Sequence, residues 1–282
     1  MSGIRPSDQG LAVWGFFAMV LGWSWVFWGL ALFHGGDAWR LPNLLFIVLG
    51  GLGPALSGIF ITFRVRGRAG LGELYRRLTD VRRISAGWYA VILLLMPATN
   101  FIALFVSVGQ EGSTLPLALA NVQDQLAHPL DFLLLAGFIL LFGPLPEEIG
   151  WRGYALDRLQ ARWSALTASL VLGAFWGVWH APLFFMQTYY GPDSAPEPFR
   201  FFYNILLASI LLTWIHNNTR RSLLAAILFH FSINFAGELL PLSDEADVLK
   251  TILMTATTGI VVLVWGPRRL RRQTGTTVEP RD

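Results

Sequence analysis

Five stretches of this chain, roughly 10–33, 41–63, 86–108, 165–185 and 246–265, are long, mostly apolar runs. A helix needs about 20 such residues to cross a bilayer core. Three shorter or interrupted runs cover 130–145, 199–216 and 222–240. Lipid offers no water to backbone N–H and C=O groups, so segments like these must satisfy their hydrogen bonds internally, as helices do. The pattern predicts an all-α, polytopic membrane protein with about eight transmembrane helices. It forms a single integral-membrane domain over residues 1–282, with 273–282 as a short disordered tail. The first run is too long for a signal-peptide core and is expected to be a retained span. Only 14% of residues are charged, against about 25% in soluble domains. Membrane lipids are therefore expected partners, and nucleic acid is not. The chain has no cysteine, which excludes disulfides, thiolate metal sites and a cysteine nucleophile.

The connections sort by charge. Arg64, Arg66, Arg68, Arg76, Arg77, Arg82 and Arg83 crowd the second connection, and Arg152, Arg158 and Arg162 follow the fourth run. Arg220 and Arg221 lie between the sixth and seventh, and Arg268, Arg269, Arg271 and Arg272 follow the eighth. With both termini, 18 of the 21 basic residues fall on one side. The other side keeps Arg40, Arg200 and Lys250 among several carboxylates. By the positive-inside rule the Arg-rich connections and both termini are expected in the cytoplasm, of a prokaryotic cell membrane. Leu71, Leu74, Leu78 and Val81 repeat at near-helical spacing between arginines, which predicts an amphipathic, headgroup-contacting helix over 67–84.

The fourth run is broken by Gly143-Pro144-Leu145-Pro146, directly before Glu147 and Glu148. Proline suits a helix start, so a new helix is expected from Pro146 with both glutamates in its first turn. A broken helix at membrane depth needs protein or a water-filled cavity beside it. Glu148 and Arg152 are spaced i,i+4 and can pair, which leaves Glu147 as the better general base or metal ligand. His180 ends the fifth run, one turn after Trp176, with Gly173 and Gly177 spaced for close helix approach. His230 and Asn234 share a face of the seventh run, where Asn can donate to an oxyanion and His can ligate, donate or accept. Read alone, His180 could equally be an interhelical hydrogen bond, His230 and Asn234 have a polar interhelical contact as their bland reading, and Glu147 an interfacial helix-start carboxylate. Ser232 falls off that face, and His34, His128 and His216 read as surface residues.

The sequence Glu147-Glu148-x-x-Trp151-Arg152, the aromatic-x-x-x-His motif from Trp176 to His180, and His-x-x-x-Asn from His230 to Asn234 resemble the CPBP family. That family comprises the CAAX-type prenyl proteases and the bacteriocin-processing or immunity proteins. The resemblance covers roughly 130–240, and Trp176 stands where the family commonly has phenylalanine. It implies an intramembrane endopeptidase acting on a membrane-associated, in some cases prenylated, peptide or protein, with a cavity open toward the cytoplasmic side. Carried over, Glu147 is the general base assisted by His180, while His230 and Asn234 polarise the scissile carbonyl. Glu148 and Arg152 orient Glu147, and Trp176 lines the cavity wall. Glu147, His180 and His230 could also supply three ligands to a zinc ion with an open position, and a metal-free mechanism uses the same residues. The rivals are a non-catalytic immunity or partner-binding protein and a transporter, against which stands the lack of a second broken segment in the other half.

Overall fold

The computed structural model describes residues 6–111, 119–186, 188–190 and 196–272. The tail 273–282 and parts of the two long connections lie outside the described residues. Among the described residues there is no β-strand, and all eight apolar runs are helical. In chain order the helices are α1 (Pro6–His34), α2 (Asn43–Gly51), α3 (Gly53–Thr79), α4 (Ala86–Glu111), α5 (Ala120–Ala127) and α6 (Pro129–Phe142). They continue with α7 (Pro144–Gly150), α8 (Leu156–Gln160), α9 (Ala165–Trp179), α10 (Pro198–Asn218), α11 (Leu223–Leu239) and α12 (Asp244–Trp265). Among the described residues six helical runs are long and apolar enough to cross a membrane, and a seventh arises if α2 and α3, bent by 40°, form one span. α11 is apolar but only 17 residues long. The bent α2–α3 pair also removes one sequence argument against a transporter, because the first half does carry a broken segment.

Residues 129–160 form one 32-residue apolar run built from α6, α7, a π-helical turn over Trp151–Ala155, and α8. The new helix starts at Pro144 rather than Pro146, with Gly143 as the break (φ −116°, ψ −94°). Proline at the first position costs no helical hydrogen bond, because that N–H would be unpaired anyway. The consequence is positional: Glu147 sits in the middle of the run instead of at its Arg-rich edge.

Two close helix contacts set where α7 and α9 lie. A Cβ on Gly150 would come within 2.5 Å of the Pro54 carbonyl oxygen, and one on Gly58 within 3.2 Å of the Gly150 Cα. On α9, a Cβ at Gly177 would meet the Phe202 ring at 2.5 Å, and one at Gly173 the Ser209 Cβ at 3.0 Å. The spacing of Gly173 and Gly177 thus serves the close packing of α9 on α10, as expected. Gly150→Ala is expected to destabilise the protein by about 1–3 kcal/mol, because backbone of α3 stands in the way of the new methyl. A lower apparent unfolding midpoint in detergent checks this, and a wild-type midpoint would contradict it.

The amphipathic stretch bends away at Gly67, whose φ of +56° only glycine adopts readily. Helix then continues to Thr79, followed by a single 3₁₀ turn over Val81–Arg83. Leu71, Leu74 and Leu78 are half-buried as the pattern suggests, but so deeply does Arg77 pack that only 7% of it is exposed.

Candidate active site

α7 carries the two glutamates, both buried, on different partners. Arg152 lies one turn beyond Glu148, and its Nη1 donates to Glu148 Oε1 at 2.8 Å, with both side chains fully inaccessible. The i,i+4 pairing expected from spacing is therefore present. His230 adds a second partner: its Nδ1 lies 2.8 Å from the same oxygen of Glu148, donating a proton to the carboxylate. The π-helical turn that begins at Trp151 places Arg152 here, and such turns recur at functional sites.

Glu147 points elsewhere. The indole N–H of Trp176 on α9 donates to Glu147 Oε2 at 2.6 Å. One turn later the His180 Nδ1 lies 2.8 Å from the Trp176 carbonyl oxygen. A carbonyl only accepts, so Nδ1 carries the proton, and in the neutral ring Nε2 holds the lone pair. The Trp176 ring also stands edge-on to His230, centroids 5.1 Å apart, and the Arg152 guanidinium lies 5.1 Å from its centroid.

A cavity of about 320 Å³ gathers these groups, lined by Glu147, Trp176, His180, His230 and Asn234. Asn234 approaches the break before α7: a Cβ on Gly143 would lie 3.5 Å from its Nδ2. All four catalytic candidates therefore face one space, while Glu148 and Arg152 sit behind it and do not line it. Asn100, Asn204 and Tyr189 line the cavity as well, and the sequence reading passed over them. Asn100 and Asn204 are polar groups within apolar helices, the signal that picked out His230 and Asn234. Ser232 is buried and does not line the cavity.

Residues 129–236 match the family described as type II CAAX prenyl endopeptidase, Rce1-like. A CAAX prenyl protease 2 of Methanococcus maripaludis is 32% identical over 195 residues, covering 68% of this chain and 70% of that protein. The chain belongs to this CAAX protease family. Lysostaphin resistance protein A of Staphylococcus haemolyticus is also similar, 25% identical over 118 residues that span 42% of this chain and 31% of that protein. As a member of the CAAX protease family, this chain is an integral-membrane peptidase.

In this CAAX protease family member the cavity does not approach the Arg-rich ends of the helices. Its lining runs from Glu147 through Phe201, Asn204 and Gly237 to Pro196, Asp247 and Lys250, all toward the Arg-poor ends. Met254, ten residues into α12, marks a depth of about 15 Å at 1.5 Å per residue. No residue of an Arg-rich connection lines it, so the expected opening toward that side is not supported. Packing gives the reason. Trp151, Tyr154, Ala155, Leu156 and Leu159 are fully buried just beyond the glutamates. Below them Arg77 donates to the Asp157 carboxylate (3.1 Å), to the carbonyls of Arg152 (3.1 Å) and Arg221 (2.8 Å), and to His216 Nε2 (3.2 Å). His216, expected at the surface, is fully buried in this cluster, whereas His34 and His128 are exposed.

Among the described residues no three His, Asp or Glu side chains are grouped to hold a metal ion. Trp176 occupies one oxygen of Glu147, and Glu148 engages the Nδ1 of His230. These bonds leave Glu147 Oε1 and the Nε2 atoms of His180 and His230 for other partners, and the chemistry below uses the side chains alone.

Proposed function

We propose that the protein is an intramembrane endopeptidase that hydrolyses a peptide bond in a membrane-associated, prenylated substrate, using Glu147, His180, His230 and Asn234. The observation that carries this reading is the convergence of these four side chains, from three separate stretches of sequence, on one cavity. Glu147 takes a proton from the attacking water, assisted by the lone pair on His180 Nε2. Asn234 donates its amide N–H to the developing oxyanion. His230 joins it through Nε2 when that nitrogen is protonated, while Nδ1 stays on Glu148. The prenylated substrate class follows the name of the Methanococcus relative, and a chain embedded in lipid meets such a substrate where its anchor lies.

Cleavage of fluorogenic peptides, matched with and without a prenyl group, by the detergent-purified protein tests the proposal. Faster turnover of the prenylated peptides is expected, in chelator as in its absence. Cleavage of neither overturns the enzyme reading, and loss of cleavage in chelator, restored by zinc, overturns the metal-free mechanism. A second reading, a resistance role exerted through binding, is favoured by the similarity to lysostaphin resistance protein A. None of the four site residues is missing here, which speaks for catalysis.

We place both termini and the Arg-rich connections in the cytoplasm, which puts Asp247 and Lys250 of the cavity lining toward the opposite side of the membrane. The chain lacks cysteine, so single cysteines report directly on this orientation. In intact cells an impermeant maleimide is expected to label Asp244→Cys and to spare Arg268→Cys. The reverse pattern would invert the orientation.

A further inference from the structure

We propose that Trp176 is a positioning residue for hydrolysis, its indole N–H fixing the Glu147 carboxylate in the one rotation that presents its second oxygen to water. This rests on Glu147 being the base. The final torsion of a glutamate is broad and roughly two-fold, so an unrestrained carboxylate samples many orientations. A donor at 2.6 Å on Oε2 is short for an N–H···O hydrogen bond and selects one of them. The donor itself is held in place. Trp176 is 4% exposed, stands edge-on to His230 and lies beneath the Arg152 guanidinium. Its carbonyl accepts the Nδ1 proton of His180, so the same residue sets the tautomer of the second group on the water. Trp176 thus links α7, α9 and α11 at the reacting centre, and a ring without an N–H would keep the packing but lose the grip on Glu147.

The test compares kcat and KM of wild type, Trp176→Phe and a protein carrying benzothienylalanine in place of Trp176, with Glu147→Ala alongside. Benzothienylalanine keeps the indole's shape and replaces its N–H by sulfur. Both Trp176 replacements are expected to lower kcat by about 10- to 100-fold, the scale of a misplaced catalytic group. With benzothienylalanine KM is expected to stay within about two-fold, because the cavity wall keeps its shape. Wild-type kcat with benzothienylalanine would overturn the proposal, even if Trp176→Phe is impaired, since shape alone would then suffice. Undiminished cleavage by Glu147→Ala would instead overturn the base assignment, and this inference with it.

Discussion

Glu147→Ala is expected to lower kcat by about 10²- to 10⁴-fold, the contribution of a positioned general base. The loss should fall on kcat more than on KM, because a base acts only as the proton is transferred. The fold should survive. Glu147 is buried and accepts from the Trp176 indole, and its removal leaves that N–H, a neutral group, without its acceptor. Ser232→Ala serves as the control: the hydroxyl is buried, makes no hydrogen bond among the described residues and does not line the cavity. Its kcat is expected to match wild type. Equal cleavage by Glu147→Ala and wild type, or a large loss in Ser232→Ala, would move the chemistry away from the assigned residues.

Glu148→Ala is the variant expected to unfold. It strands the Arg152 guanidinium, fully buried, with no carboxylate partner, and breaking such a pair costs about 3–5 kcal/mol. The same change takes the acceptor from His230 Nδ1. Stability and function should then separate in the double variant Glu148→Leu with Arg152→Met. Replacing a buried ion pair by apolar groups of similar size is often neutral or better for stability, so the unfolding midpoint should return toward wild type. Cleavage should not return, because His230 still lacks its partner. The pair is itself incompletely satisfied: Glu148 Oε2 and Arg152 Nε have no hydrogen-bond partner among the described residues. A pair kept for stability alone would be expected to fill those positions. Recovery of both properties in the double variant would make Glu148 and Arg152 merely structural.

The eight apolar runs, the break before Glu147 and the pairing of Glu148 with Arg152 were legible in the sequence because each depends on spacing along one helix. The end of the helices toward which the cavity lies was not. Arginine counts sort the ends of the helices into two sides, but the position of a cavity follows from how Trp151, Tyr154 and Leu156 pack. His216 was misread for a similar reason. Near a helix end it looks like a surface residue, and its burial depends on Arg77 and Asp157, 139 and 59 residues away in the chain. Trp176 was read as cavity wall, since an aromatic at that spacing announces bulk. Only the crossing of α7 and α9 shows that its N–H meets a carboxylate.

The tightly packed Arg-rich end has a consequence for the cell as a whole. A peptidase working within a bilayer must admit water to a carboxylate at mid-depth, and a continuous file of water across the membrane would conduct protons. Here the file is interrupted below Glu147 by fully buried aromatic and aliphatic side chains, and below those by guanidinium, carboxylate and imidazole groups bound to one another. On the proposed assignment of Glu147, the water it activates would stop at this packed end, so hydrolysis would not require a conducting path across the membrane.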